Sequence, residues 1–177
     1  KEYKNLIYCC KKEKNKNFIF LFFDYYSEGD LFDLIIKKKL SIDTIINYSY
    51  QMFQSIKSLN SIGYVHLDIK LENFIINDNH LILIDLGSCR KKLDDDKNIS
   101  KIIDKVWTKK YESPEISKYF YGNKSDIWSI GVCLYNIVTN KNLYDDILDY
   151  QYNTYFKKKS TLNYIKGKLS KNGVDLL

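Results

Sequence analysis

Residues 66–73 read His-Leu-Asp-Ile-Lys-Leu-Glu-Asn, and twelve positions after Asn73 the chain reads Asp85-Leu86-Gly87. These two polar segments constrain the fold most, because the residues between them carry a strand–turn–strand pattern. Phe74–Ile76 and Leu81–Ile84 flank Asn77-Asp78-Asn79-His80, which predicts a β-hairpin with a polar turn. An aspartate and an asparagine five residues apart before the hairpin, and a further aspartate where it ends, are spaced so that they can converge on a divalent cation. Hard oxygen ligands of this kind suit Mg²⁺ held together with substrate phosphates. Lys70 adds a cation where charge develops on a transferring group. Single Asp and Asn residues near turns usually make local backbone bonds. The joint pattern outweighs that reading, since His-x-Asp-x-Lys-x-Glu-Asn arises from this composition about once in two million starting positions.

The rest of the chain reads as mixed α+β structure. Leu6–Cys10 and Phe18–Asp24, separated by the charged stretch Lys11–Asn17, predict a first hairpin, with the longest apolar run, Phe18–Phe23, as a buried strand. Ser27-Glu28-Gly29-Asp30 breaks that strand, and Leu31, Phe32, Leu34 and Ile35 begin a short amphipathic helix. Ser41 is placed to cap a longer helix with Ile42, Ile45, Ile46, Met52, Phe53, Ile56 and Leu59 at helical spacing, and Gly63 suits its end. Ser88 to Glu112 has little periodicity and reads as a long loop. Ser125 and Asp126 precede an apolar helix over Ile127–Val138, and beyond Asn140 the helical pattern is weak. Without repeats or a Gly/Pro/Ser-rich linker, 177 residues make one domain with a core.

Composition removes several function classes. With 45% hydrophobic and 28% charged residues the chain is neither disordered nor membrane-buried. No apolar run reaches the roughly 18–20 residues of a membrane span. The net charge of +6 invites a nucleic-acid reading, yet of 28 basic residues Arg90 alone is arginine. Lysine lacks the planar fork that reads guanine edges and grips phosphate bidentately, so no specific nucleic-acid partner is expected. The absence of alanine and the abundance of Lys, Asn, Ile, Tyr and Phe point to A/T-rich codons instead. The runs Lys37–Lys39 and Lys157–Lys159 read as solvated faces. Cys9, Cys10, Cys89 and Cys133 follow neither a disulfide framework nor a zinc spacing, so reduced thiols and an intracellular, cytoplasmic location are expected. The chain starts at Lys1 and its one methionine is Met52, so it is expected to be a segment of a longer protein.

At four places in order the sequence resembles the eukaryotic protein kinase superfamily. His66-Leu67-Asp68, followed by Lys70 and Asn73, resembles the catalytic loop H-R-D-L-x-x-x-N with leucine for arginine. Asp85-Leu86-Gly87 resembles the D-F-G metal-binding turn, and Ser113-Pro114-Glu115 resembles A-P-E. Asp126-Ile127-Trp128-Ser129-Ile130-Gly131 is similar to the helix that anchors the catalytic loop from beneath. The resemblance covers nearly the whole chain. It implies a protein kinase-like α+β fold: the end of a β-rich N-lobe with the hinge over about residues 1–26, and most of a mainly α-helical C-lobe over 27–177, truncated at both ends. The His-Leu-Asp variant is also similar to the FIKK kinase subfamily.

The resemblance implies ATP and Mg²⁺ as cofactors and a protein hydroxyl as acceptor. Asp68 takes the place of the residue that accepts or orients the hydroxyl proton, Asn73 and Asp85 hold Mg²⁺, and Lys70 faces the γ-phosphate. Phe23 stands at the gatekeeper position, Asp24, Tyr25 and Tyr26 form the adenine-binding hinge, Asp30 meets ribose and Ile75 forms part of the adenine floor. His66 and Leu86 stack in the hydrophobic spine. Lys70 and Thr108 resemble serine/threonine kinases, Thr108 being set against Asp68 and Lys70, while Trp107 replaces a usual glycine. Cys89 reads as a half-buried cysteine rather than a reactive one.

The glycine-rich loop, the strand lysine and the helix glutamate that clamp ATP phosphates in the family do not occur in these 177 residues. The segment alone is therefore expected to be catalytically silent. A serine/threonine kinase is the reading that the retained Asp68, Lys70, Asn73 and Asp85 favour, against a pseudokinase acting as a binding or allosteric scaffold. Leu67 offers no charge to grip a phosphate, so the activation segment is not expected to depend on phosphorylation at Ser100.

Overall fold

The computed structural model describes residues 3, 5–93, 100–102 and 108–139. Strands β1 (Cys9–Lys14) and β2 (Ile19–Phe23) pair antiparallel, with Lys11 opposite Phe22 and a register break between Cys9 and Lys11. The charged stretch expected as a loop is therefore mostly strand. Asn15 closes the turn by itself: its side-chain oxygen accepts from the N–H groups of Asn17 and Phe18 at 2.9 and 2.8 Å. The backbone ladder does not require apolar side chains, and those of Lys11–Lys14 are solvated. A second expectation is corrected here. Phe18 to Phe23 are not buried but 45–63% exposed, because β1 and β2 form a two-stranded ribbon that no described layer covers.

Helix α1 (Leu31–Lys37) starts where the Asp30 carboxylate accepts from the Asp33 N–H at 2.8 Å, a cap contributing about 1 kcal/mol. Helix α2 (Ile42–Ser61) starts on Ser41, whose hydroxyl accepts from the Thr44 N–H at 3.2 Å. Its buried stripe runs through Tyr48, Met52, Ser55, Ile56 and Leu59, with Gln51 beside it. Ile42 and Ile46, expected on the buried face, are exposed, since the 3.6-residue period through Tyr48, Met52 and Leu59 turns them outward. The helix closes on its C-cap Ile62, and Gly63 beyond it takes φ 85°.

Strands β3 (Tyr64–Val65), β4 (Phe74–Asn77) and β5 (His80–Leu83) follow. β4 and β5 form the hairpin, pairing Phe74 with Leu83 and Asn77 with His80. The turn is thus two residues, Asp78 and Asn79, both left-handed at φ 49° and 60°, which matches the right-handed twist of the strands. Asn5 to Ile7 run alongside: the Ile7 N–H donates to the Leu83 carbonyl and the Leu83 N–H to the Asn5 carbonyl, each at 2.9 Å. Asn5 Nδ2 also donates to Gln51 Oε1 at 3.0 Å, fastening this segment to α2.

The stretch read as a long loop contains β6 (Arg90–Lys91), paired with β3, and β7 (Ser100–Lys101), paired with β8 (Phe120–Tyr121). Backbone pairs this short leave no periodic signal. Helix α3 (Ser125–Thr139) begins two residues before the expected start, with Ser125 and Asp126 inside it and buried. The main core gathers Leu31, Met52, Ile56, Phe74, Leu81 and Ile130 between the three helices and the β4–β5 hairpin. The weak helical pattern beyond Asn140, Trp107 and the run Lys157–Lys159 lie outside the described residues.

Candidate active site

The loop between β3 and β4 is held from below by one carboxylate. Asp126, on the first turn of α3, accepts the His66 N–H on Oδ2 at 2.7 Å and the Leu67 N–H on Oδ1 at 2.8 Å. The backbone turns left-handed here, Leu67 taking φ 68°, which costs an L-residue about 1–2 kcal/mol. Full burial pushes the Asp126 carboxyl above the usual carboxylate range, against the opposing pull of the two N–H donors. His66 is itself fully buried. Its Nδ1 faces the Asp68 N–H at 3.2 Å, and a backbone N–H only donates, so the proton sits on Nε2, which donates to the Ile84 carbonyl at 3.1 Å. One imidazole thus joins the loop to the residue before Asp85.

With the backbone fixed, the Asp68 carboxylate is clamped on both oxygens. Oδ1 accepts the Thr108 N–H at 2.8 Å, and Oδ2 receives Lys70 Nζ at 2.9 Å. Lys70 Nζ also donates to Thr108 Oγ1 at 3.0 Å. Asn73 Nδ2 donates to the Asp68 carbonyl at 2.8 Å and reaches Oδ2 at 3.4 Å. Asp68 is 8% exposed and Lys70 only partly covered, so the triangle of Asp68, Lys70 and Thr108 is shielded without being sealed.

The hairpin register carries this constellation to the second segment. The Ile84 N–H donates to the Asn73 carbonyl at 2.9 Å, so Asn73 and Asp85 leave the base of the hairpin side by side. Asp85 is exposed and left-handed at φ 56°, and its Oδ1 accepts weakly from the Gly87 N–H at 3.4 Å. A Cβ on Gly87 would press on that oxygen at 3.2 Å, so glycine leaves the carboxylate room. Among the described residues no three His, Cys, Asp or Glu side chains cluster to hold a metal. Asn73 and Asp85 offer a neutral amide oxygen and a carboxylate, hard oxygen donors of the type that suits Mg²⁺ when phosphate and water complete its shell.

Asp85 also lines a cleft of about 810 Å³, within the size range of small-ligand sites. Leu21, Phe23 and Cys9 wall it from the β1–β2 ribbon, and Ile75, Ile84 and Leu86 from the opposite side. Of the residues expected to meet a nucleotide, Phe23, Asp24, Tyr25, Tyr26 and Ile75 line it. Asp30 is not among the lining residues; its carboxylate is taken up by the N-terminus of α1. Leu86 is 39% exposed and forms cleft wall rather than core. Ile7, Cys9, Leu21 and Ile84 were not singled out in the sequence. Strand alternation gives one of them: Leu21 stands two residues before Phe23 and so shares its face.

Burial pushes the Cys89 thiol up to about 12, with Asp126 and Asp85 adding to the rise. At pH 8 roughly one such thiol in ten thousand is ionised. In the folded protein Cys89 and the fully buried Cys133 are therefore expected to resist iodoacetamide, whereas exposed Cys10 is alkylated. Peptide mapping checks this, and labelling of Cys89 as fast as Cys10 would contradict it.

The protein kinase domain profile matches residues 2–175. The chain belongs to the protein kinase domain family. The kinase chain shares 38% identity over 134 residues with serine/threonine-protein kinase MRCK beta of Rattus norvegicus, covering 71% of this chain and 8% of that protein. It shares 35% identity over 177 residues with serine/threonine-protein kinase Genghis Khan of Drosophila melanogaster (90% and 10%), and 36% over 143 residues with mrck-1 of Caenorhabditis elegans (76% and 9%). It spans a tenth or less of the length of these relatives. Short sheets packed with three helices among the described residues are those of a partial kinase-like α+β fold. Within the described residues no helix is long and apolar enough to cross a membrane. The kinase glutamate of Ser113-Pro114-Glu115 is held by Ser125, whose hydroxyl donates to Glu115 Oε1 at 2.6 Å.

Proposed function

We propose that this kinase domain transfers the γ-phosphoryl group of ATP to a serine or threonine hydroxyl of a protein substrate. The observation that carries the reading is the clamp on Asp68: one carboxylate fixed by the Thr108 N–H and Lys70 at the base of the hairpin that delivers Asp85 to the cleft. Of the described residues, those up to Tyr26 supply the upper wall and hinge of the site and those from Ser27 to Thr139 belong to the larger lobe. Adenine lies in the apolar slot between Phe23 and Ile75, against the backbone of Asp24 to Tyr26. Mg²⁺ held by Asn73 and Asp85 neutralises phosphate charge when bound.

Asp68 orients the substrate hydroxyl and receives its proton as the oxygen bonds to the γ-phosphorus and the bond to ADP breaks. Lys70 stands beside that carboxylate and stabilises charge spreading over the transferred group. Thr108 fixes both partners, so the near-attack geometry does not rely on two flexible side chains. The names of the similar proteins, all serine/threonine-protein kinases, support this acceptor class. The test presents the protein at its full natural length with ATP, Mg²⁺ and matched peptides bearing serine, threonine or tyrosine. Phosphate on serine and threonine is expected. Phosphate on tyrosine alone would contradict the acceptor class, and tight nucleotide binding without transfer to any peptide would assign a scaffold instead.

A further inference from the structure

We propose that Leu67 is a positioning residue for Asp68, acting through an apolar joint that seats the segment bearing Thr108. The inference rests on the kinase reading and deepens it. Leu67 has two attachments. Its N–H is held by Asp126, and its side chain, 2% exposed, is buried with Val65, Ile102, Ile116 and Tyr121, with Leu93 packed against them. Left-handed backbone at this one residue aims the N–H at the helix while the side chain joins the cluster.

The partners come from two different ribbons. Val65 belongs to the β3–β6 pair, and Tyr121 to the β7–β8 pair, whose neighbour Ile102 donates its N–H to the Tyr119 carbonyl at 2.7 Å. Two polar ties hold the ribbons together around the cluster. The Tyr121 hydroxyl donates to the Lys91 carbonyl at 3.0 Å, and Asn123 brackets Leu93, accepting its N–H at 2.7 Å and donating to its carbonyl at 2.9 Å. Thr108 lies on the stretch between Ile102 and Ile116, both clamped here. Its N–H then meets Asp68 Oδ1, one residue from Leu67. The loop carrying the carboxylate and the segment carrying its N–H donor are registered against each other by apolar packing.

Packing of this kind is sensitive to volume and indifferent to charge. The test uses the protein at its full natural length with Leu67→Ala, Ile102→Ala, the double variant and the volume-conserving Leu67→Met. Hydrogen exchange at the Thr108 amide and steady-state kinetics are read on each. Leu67→Ala and Ile102→Ala are each expected to speed exchange at Thr108 and to lower kcat about ten- to hundred-fold, the scale of an ångström-level misplacement. KM for ATP is expected to stay within about twofold, since the cleft is untouched. Leu67→Met should restore both, and the double variant should be no worse than the worse single one, because both open the same cluster. Unchanged exchange at Thr108 in both alanine variants, or losses that multiply in the double variant, would overturn the proposal. If Leu67→Ala does not fold, Ile102→Ala decides from the other side of the joint. If the wild type binds nucleotide but transfers no phosphate, the kinase reading fails while the exchange comparison still decides the role of Leu67.

Discussion

Asp68→Asn, made in the protein at its full natural length, is expected to lower phosphoryl transfer by about 10²–10⁴-fold while leaving nucleotide affinity nearly unchanged. The substitution preserves shape, and the amide oxygen can still accept the Thr108 N–H now received by Oδ1. It cannot take a proton, and its NH₂ faces Lys70 Nζ, a second donor, where Oδ2 now makes a 2.9 Å ion pair. Asp85→Asn is expected to behave differently, weakening Mg²⁺-dependent nucleotide binding as well as turnover, because Asp85 lines the cleft and Asp68 is clamped outside its lining. Parallel titrations with nucleotide and measurements of kcat separate the two. Normal transfer by both variants would show that the loop is only structural.

Asp126→Ala is expected to destabilise the fold by about 2–5 kcal/mol, read as a lowered denaturant midpoint. Alanine leaves the buried N–H groups of His66 and Leu67 without the acceptor they share. Each unsatisfied donor costs about 1–3 kcal/mol, and the left-handed Leu67 loses what offsets its strain. Asp126→Asn should rescue only part of the loss, since its amide oxygen accepts one N–H and its NH₂ opposes the other. A midpoint unchanged by Asp126→Ala would show that the loop holds its geometry without this anchor.

Much of this site was legible in the sequence because the chemistry depends on short spacings that local structure keeps. His66, Asp68, Lys70 and Asn73 lie within eight consecutive positions, and the two-residue turn at Asp78 and Asn79 sets the register that brings Asp85 back beside Asn73. Helix α2 was legible through its cap at Ser41 and the glycine stop at Gly63. The exposure of β2 was not legible, since an apolar strand looks the same whether or not a layer covers it. The strand path of Lys11–Lys14 was hidden by charge, although the ladder uses only the backbone. Asp30 shows a different limit: a carboxylate near a hinge can bind a sugar or cap a helix, and the sequence does not show that one of its oxygens accepts the Asp33 N–H. The apolar joint under Leu67 joins residues from Val65 to Tyr121, a separation over which periodicity carries no information.

The central claim is that the Asp68 clamp and the adjoining cleft make one phosphoryl-transfer site. A single-turnover measurement tests it most directly, with the protein at its full natural length in excess over γ-labelled ATP and Mg²⁺, and with bound nucleotide and transferred label read from the same samples. The account predicts that label leaves the nucleotide and appears on serine or threonine of a protein substrate. Nucleotide that is fully bound while its label stays in place would contradict it.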